Sequence, residues 1–524
     1  AASECRAKAD WLIGMNGTRA FTKKYGRRQT IGRVQTPTLA MLTKRQSKIQ
    51  NFVKEPYYKV EITGNGIVAE SERMAQEQDA DTMQAACDGQ CAVIGSIERK
   101  RKEQSAPKLY DLTTLQREAN RYYGFTASQT LKIVQELYEE KLVTYPRTDS
   151  QYITEDMQQT MTALLKHYSG EVGKVEQVVN NKKITDHHAI LPTLESCKRE
   201  SNSLSGDKEK VFALIVWKMQ QAVQPPYIYE DVLVTVCCQD RKFTAKYKNV
   251  LQAGHTAMPV PFAEQEKSKG VAFPKKLEQG AVIPVVSAEK KQGFTSPPKA
   301  FTEDTLLSAM ETAGNKEFEK DTEKKGLGTP ATRAAILEKL VSSGYVERKG
   351  KQILPSAEGV TAIANIPDYL KSASMTAEWE NELLRMERGE TKPADFMQGI
   401  GGLLERMLAD LRQIPTVQES TTYNKVSIGN CPVCGKPVCE GRQNFYCSNR
   451  ECKFALWKES KYLSSMKKTL TKKMATDLLK KGRTHEKDFY SAKKNKTFDA
   501  DLVMRVENGR AQYSLEFPKT PVKK

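Results

Sequence analysis

The chain has 524 residues, 39% hydrophobic and 28% charged, which fits a globular protein of three or more domains. Its longest plainly apolar run, Val211–Trp217, is far too short to span a membrane, and Ala1–Arg6 lacks a basic segment followed by an apolar one. No membrane partner and no secretory signal are therefore expected, and the missing initiator methionine implies a start inside a longer protein.

Residues 1–55 read as helical, with helical spacing over Ala9–Arg19 and Thr36–Ile49 and a Lys/Arg/Gly stretch between them. Residues 56–106 read as strands, for example Tyr57–Ile62. Residues 107–226 turn helical again. Thr113-x-x-Gln116 and Thr126-x-x-Gln129 are capping-box patterns that predict helix starts. The second of these helices ends just before Thr144-Tyr145-Pro146, and a later apolar helix over Val211–Val223 is stopped by Pro225-Pro226. Residues 227–300 return to strands, including Val232–Val236 and Ala281–Val286. Residues 301–413 are again helical, with Thr329-Pro330 opening one helix, Gly344 closing it, and a short β-wing over Tyr345–Leu354. Residues 414–430 read as a linker, 431–460 as a small cysteine-bearing ribbon, and 461–524 as a basic tail domain. The order predicts nesting. A helical insertion (107–226) interrupts one β-rich domain, which itself interrupts a helical domain made of 1–55 and 301–413.

The formal net charge is +18. From Thr421 to Lys524 there are 23 Lys+Arg against 10 Asp+Glu; the other 420 residues hold 59 against 54. A tail at +13 on a body at +5 predicts a polyanionic partner, nucleic acid above all. Of eleven cysteines, six are scattered, and an odd, mostly unpatterned count predicts reduced thiols and a cytoplasmic setting. The other five lie between 431 and 452. Cys431-Pro-Val-Cys434 has zinc-knuckle spacing, and Cys447 and Cys452 complete a tetrahedral four-sulfur set with no open position, hence a structural site. Cys439 is a spare. Phe445, Tyr446, Phe454 and Trp457 interleave with Lys453 and Lys458, a mix that suits stacking on single-stranded bases and equally suits the packing of a small ribbon.

Thr144-Tyr-Pro-Arg-Thr-Asp-Ser150 is the most telling segment. Proline keeps the preceding residue out of the α region, so Tyr145 should be extended and should share a face with Arg147. A phenol can attack phosphorus, and a guanidinium fork can hold the phosphate under attack. Most of the chain's 20 tyrosines must be packing or surface residues, so spacing alone does not single Tyr145 out.

The segment resembles the active-site tyrosine motif of type IA DNA topoisomerases. Ala9–Asn16 (ADWLIGMN), Ile31–Leu39 (IGRVQTPTL), Leu109–Ala119 (LYDLTTLQREA), Asp186–Thr193 (DHHAILPT) and Gly326–Ile336 (GLGTPATRAAI) resemble other signatures of that family, in its order, over nearly all of 1–410. The variants look most like the topoisomerase III branch. Cys431–Trp457 and the stretch from Gly482 through Lys494 to Ala500 are similar to the zinc ribbon and C-terminal repeat of some of those enzymes.

The resemblance implies a toroidal core of helical domains and a β-rich arch. It implies that Tyr145 attacks single-stranded DNA to form a 5′-phosphotyrosine, that Arg147 holds the scissile phosphate, and that His187 assists there or relays a proton. Arg33, Gln35, Thr332 and Arg333 would contact the DNA strand. Passage and resealing would need no ATP and would relax negative supercoils or decatenate. The family also begins with a TOPRIM domain bearing a catalytic glutamate, a lysine and an acidic Mg²⁺ cluster. No Asp-x-Asp-x-Glu occurs here; Asp499-Ala-Asp501 is followed by Leu-Val. The expectation is a fragment, or one part of a split enzyme, needing a TOPRIM partner in cis or in trans. A single-stranded DNA-binding module without catalysis is the alternative. A relaxase or recombinase is disfavoured because none of the five histidines forms a His-x-His pair.

Overall fold

Regularly spaced small and apolar residues on the first helix set how the N-terminal region packs. In the computed structural model, α1 (Ala2–Tyr25) buries Ala2, Cys5, Ala9, Ile13, Gly17 and Phe21, a single stripe at helical spacing. Gly17 is required there: a Cβ would come within 3.1 Å of Ile31 Cγ2 and 3.3 Å of Met407 Sδ. Gly26 ends the helix at φ 63, and α2 (Gln35–Gln50) follows. The structure describes all residues except 185, 199–203, 264–276, 285, 315–325, 414–426, 442, 450, 492–494, 508 and 518–524. The chain divides into two compact units, Ala1–Ile414 and Pro415–Lys524.

In the first unit come β1 (Pro56–Gly64), β2 (Ile67–Glu70), α3 (Glu77–Cys87) and β3 (Ala92–Gln104). The helix α3 lies where the sequence reading expected strands. Its acidic first turn (Glu77, Asp79) suits a helix N-terminus, and Ala80 and Cys87, two turns apart, face the sheet. Next are α4 (Leu112–Tyr123), α5 (Ala127–Glu139), α6 (Gln158–Ser169) and α7 (Gly206–Gln221). Thr126 caps α5 as its sequence predicts. The cap of α4 is Asp111 rather than Thr113, because Asp111 and Thr114 form the reciprocal box while Thr113 is buried inside the first turn.

The chain then returns through β4 (Tyr227–Cys238), β5 (Arg241–Gln252), β6 (Val282–Ile283) and β7 (Ser287–Phe294). The expected strand over Ala281–Val286 includes Val285, outside the described residues; Val282–Ile283 form β6. One antiparallel sheet, in the order β6-β3-β4-β5-β2-β1-β7, thus draws strands from both sides of the helical stretch. Its buried face carries Val60, Ile62, Ala69, Val232, Val234, Val236, Phe243 and Ala245, the alternate residues of each strand.

Last in this unit come α8 (Glu303–Thr312), α9 (Pro330–Ser342), the wing β8 (Val346–Lys349) and β9 (Gln352–Pro355), then α10 (Ala357–Ala364), α11 (Asp368–Lys371), α12 (Ser374–Glu387) and α13 (Pro393–Gln413). Thr329 caps α9 with Pro330 in its first turn, and Gly344 follows its end at φ 77. These elements share one apolar core with α1 and α2.

The contact between α4–α5 and α8–α9 is built differently. Asp304 accepts from Arg117 Nε at 3.0 Å and from Arg121 Nε at 2.9 Å. Glu303 accepts the Ala127 amide at 2.5 Å and Arg348 Nε at 2.9 Å. Arg333 Nη1 donates to Thr113 Oγ1 at 2.9 Å. The apolar cores on the two sides are separate, with Ala127 alone among the described residues of the 107–226 segment reaching the far one.

The second unit contains β10 (Ser427–Asn430), β11 (Pro437–Glu440), β12 (Asn444–Cys447), β13 (Ala455–Trp457), α14 (Lys461–Ser464), α15 (Lys472–Lys481), β14 (Arg483–Ser491), β15 (Lys496–Glu507) and β16 (Arg510–Glu516). Most of the expected linker lies outside the described residues, and its last four residues form β10. Lys494 of the repeat-like stretch also lies outside them. The four-stranded ribbon and the three-stranded sheet behind it share one core, where Cys431, Cys447 and Phe454 pack in one cluster with Leu478, Phe489 and Leu502.

Candidate active site and metal centre

The exit of α5 sets up the tyrosine. Lys141 adopts φ 61; its amide returns to the Tyr138 carbonyl at 2.8 Å, and the Leu142 amide returns to the Leu137 carbonyl at 2.9 Å. This is a Schellman turn formed without glycine. It aims Leu142–Thr144 against residues 191–193: Thr193 N donates to Leu142 O at 3.0 Å and Thr144 N to Leu191 O at 2.9 Å. The Thr144 hydroxyl accepts the Leu191 amide and donates to the Ala189 carbonyl, both at 3.0 Å.

Beyond this anchored pair, burial alternates. Tyr145 is half-buried, Pro146 buried, Arg147 exposed and Thr148 buried, as an extended segment requires. The centre of the Tyr145 ring lies 4.4 Å from that of the His187 ring and 5.5 Å from that of Tyr138, which meets it in a T-shaped arrangement. Thr148 Oγ1 donates to the His187 carbonyl at 2.9 Å, which fixes the histidine backbone beside the tyrosine loop. His188 instead turns its Nδ1 to the Ala189 carbonyl at 2.8 Å. Arg147 has no carboxylate partner among the described residues.

The other expected contact residues form a strip leading away from Tyr145. Leu112 N donates to Thr148 O at 3.1 Å, and Gln151 Nε2 to Asp111 Oδ2 at 3.0 Å, tying the tyrosine loop to the start of α4. Burial pushes the Asp111 carboxyl up to about 6, against the pull of its hydrogen bonds from Thr114. Thr113 meets Arg333, which is only 2% exposed. Burial lowers the pKa of that guanidinium, while Glu311 and Asp111 favour its charge. Thr332 is exposed and closes the capping box of α9 with Thr329. Val34 sits beside Gly328, where a Cβ would come within 3.3 Å of Val34 Cγ1 and 3.2 Å of Thr332 Oγ1.

Arg33 and Gln35 flank that valine. The Arg33 fork is committed: Nε donates to Asp10 at 2.8 Å, Nη1 to Glu380 at 2.7 Å, and the group lies over Trp379 at 5.4 Å. Burial disfavours its charge, but Asp10 and Glu380 outweigh that and raise its pKa. Gln35 is buried, and its Nε2 has no partner among the described residues. In this arrangement Arg33 and Arg333 are both engaged with protein groups. The sequence shows no sign of Glu380 as a partner of Arg33, since it lies 347 residues away.

The four cysteines converge. The sulfurs of Cys431, Cys434, Cys447 and Cys452 all lie within 4.8 Å of one another, with Cys431–Cys452 at 3.7 Å and Cys434–Cys447 at 3.3 Å. Zinc–sulfur bonds of about 2.3 Å in a tetrahedron place sulfurs at about this spacing. The tight turn is held by Gly435 N to Cys431 O at 2.9 Å, and the Val433 amide donates to Cys431 Sγ at 3.4 Å. The Lys436 backbone amide leads the groups that pull the Cys434 thiol down to about 7, which favours the thiolate a metal needs. Cys439 is buried outside the cluster. Among the interleaved aromatics, Phe445 and Phe454 are core residues, whereas Trp457 is 53% exposed.

Comparison with known proteins fits this picture. A family model described as DNA topoisomerase matches residues 1–398. DNA topoisomerase 3 of Bacillus licheniformis is 36% identical over 484 residues, covering 85% of this chain and 65% of the relative. DNA topoisomerase 3 of Bacillus subtilis is 35% identical over 482 residues, covering 85% and 66%. The chain therefore spans just under two thirds of the length of these relatives. The structure of full-length topoisomerase I from Thermotoga maritima superposes with a TM-score of 0.62 at 22% identity, covering 87% of this chain and 75% of that one. The mixed helical and sheet architecture is thus that of a type IA topoisomerase. The chain belongs to the type IA DNA topoisomerase family. No helix among the described residues is long and apolar enough to cross a membrane.

Proposed function

We propose that this chain carries the nucleophile, the strand-binding surface and the gate of a topoisomerase III-like enzyme. The observation that supports it most is the Tyr145 ring held 4.4 Å from the His187 ring on an anchored loop, with exposed Arg147 beside it. The Tyr145 oxygen attacks a phosphodiester of single-stranded DNA. A phosphorus–oxygen bond to tyrosine forms as the bond to the 3′ oxygen breaks, leaving a 5′-phosphotyrosine and a free 3′-hydroxyl. The phenol must lose its proton, and an imidazole at contact distance is suited to relay it. Arg147 offsets charge on the phosphate as it builds. Reversal reseals the strand, and since one ester replaces another no ATP is consumed. Strand passage between the two events relaxes negative supercoils or unlinks catenanes.

The placed neighbours of the Tyr145 ring are the Tyr138 phenol and the His187 imidazole, with Arg147 on the same loop, and this set does not fit a Mg²⁺ site. Among the described residues the four cysteines form the one group of three or more Cys, His, Asp or Glu that can hold a metal ion. We assign that group structural Zn²⁺. A TOPRIM domain, in cis or in trans, would supply the Mg²⁺ ligands and further acid–base groups. That no carboxylate cluster among the described residues could hold a metal ion favours a second reading for the chain by itself, a single-stranded DNA-binding subunit. DNA and a TOPRIM domain are the partners in both readings, and a cytoplasmic, DNA-associated setting follows from them.

Relaxation of negatively supercoiled DNA with the TOPRIM segment added tests this. Tyr145→Phe should abolish relaxation and the covalent adduct while sparing single-strand binding. An adduct that persists in Tyr145→Phe would overturn the assignment.

A further inference from the structure

Seven residues past the tyrosine, the same loop ends in a second phenol with an unusual setting. Tyr152 is half-buried, with Lys108 Nζ 5.0 Å and Lys183 Nζ 5.4 Å from its ring centre. Both lysines are exposed, and among the described residues neither has a carboxylate within ion-pair reach. Other lysines are held between acids, as Lys290 is by Glu77 and Asp81, or lie singly over a ring, as Lys467 does over Tyr490 at 3.9 Å, whereas Tyr152 has two ammonium groups near it. Two ammonium groups gathered on one phenol repel each other, and an anion bound between them would relieve that repulsion.

The gathering is fixed by the backbone. Ser150 Oγ accepts the Tyr152 amide at 3.2 Å and donates to the Lys183 carbonyl at 3.3 Å. The Ala189 amide donates to the Tyr152 carbonyl at 2.9 Å, while the Ala189 carbonyl accepts the Thr144 hydroxyl at 3.0 Å. One residue therefore ties the nucleophile's neighbour to the lysine-flanked phenol.

We propose that Lys108, Tyr152 and Lys183 form a backbone clamp, which grips a phosphodiester of the same DNA strand near the linkage attacked by Tyr145. The proposal rests on the Tyr145 reading. The ammonium groups supply charge, and the phenol supplies a hydroxyl donor and a ring edge against the sugar. Burial raises the Tyr152 phenol pKa, but the two ammonium groups outweigh this and lower it, the polarity an anion site requires. The clamp is a binding and positioning device and carries no chemistry of its own.

The test is a titration of the full chain, in a Tyr145→Phe background, with a short single-stranded oligonucleotide at several salt concentrations. Lys108→Ala/Lys183→Ala should weaken binding about tenfold at low salt and reduce the salt slope by about 0.7 for the one phosphate released. Lys108→Arg/Lys183→Arg should keep the slope. A single methylphosphonate, moved linkage by linkage along the oligonucleotide, should weaken parent binding wherever a phosphate is held, and at one of those linkages the effect should vanish in the alanine variant. An unchanged slope in the alanine variant, a methylphosphonate profile identical in parent and variant, or equal competition by inorganic phosphate at the same concentration would overturn the clamp. A failed Tyr145 reading looks different. There the adduct would be absent or would survive Tyr145→Phe, whatever the lysines do to the slope.

Discussion

Arg117 Nε donates to Asp304 Oδ1 at 3.0 Å, and this pair lies at the centre of a contact between α4 and α8 made of ions rather than of core. Asp304 is buried and also holds Arg121, so its carboxylate organises two guanidinium groups. Asp304→Asn keeps the shape and removes the charge. Hydrogen bonds to charged groups are worth about 2 kcal/mol each, so a drop in stability of that order is expected. Protease cleavage between the 107–226 segment and the rest should rise, and the difference from the parent should shrink in high salt, which weakens the parent's ion pairs. Melting and cleavage identical to the parent would show that the ion pairs contribute nothing to closure.

The carboxyl of Asp111 gives a pH prediction with a definite sign. Burial raises its folded pKa from 3.8 to about 6. An acid whose pKa rises on folding binds its proton more tightly when folded. Its cost to stability is absent below about pH 4, grows as pH rises toward 6, and is complete above it. Two pKa units correspond to about 3 kcal/mol as an upper figure. Asp111→Asn can still cap α4 but cannot ionise. It should therefore flatten the fall in melting temperature between pH 4.5 and pH 7.5, and equal slopes for parent and variant would refute the linkage. Asp111→Ala also cannot ionise but loses the cap as well, so it should lie about 1 kcal/mol below Asp111→Asn at every pH.

His187 can act through chemistry or only through packing against Tyr145, and kinetics separates the two. As an acid–base group it is worth about 10²-fold or more in rate. With the TOPRIM segment present, His187→Ala should slow adduct formation by that factor and leave the affinity for single-stranded DNA nearly unchanged. If rate and affinity fell together, the ring would be a packing element.

Cys431 and Cys447 belong to the same core as Leu478 and Phe489, so metal removal should reach beyond the ribbon. Cys431→Ser is expected to lower zinc content by one equivalent and to expose β14–β16 to hydrogen exchange together with β10–β13. Unchanged zinc content would remove the metal from this site. Loss of zinc with full protection of β14–β16 would show that the apolar packing suffices without it.

What could be read in the sequence was local. The cap at Thr126, the proline start of α9 and the ligand spacing of the cysteines each depend on residues a few positions apart, and the structure bears out all three. The start of α4 was misread because two overlapping cap patterns compete, and the buried hydroxyl of Thr113 is needed by Arg333, 220 residues away. Long-range partners hid the state of Arg33 in the same way, since its Glu380 partner is reached only after the chain has folded. The helix α3 escaped notice because its apolar side is narrow, with only Ala80 and Cys87 fully buried.

Ala189 spends both of its backbone groups on the tyrosine loop, its carbonyl on Thr144 and its amide on Tyr152. A single residue therefore acts as a ruler with one graduation. The separation between the residue before Tyr145 and the residue at the far end of the loop is set by one amino acid's length. It is insulated from breathing elsewhere in the chain, because neither end can drift without breaking a bond to the same residue.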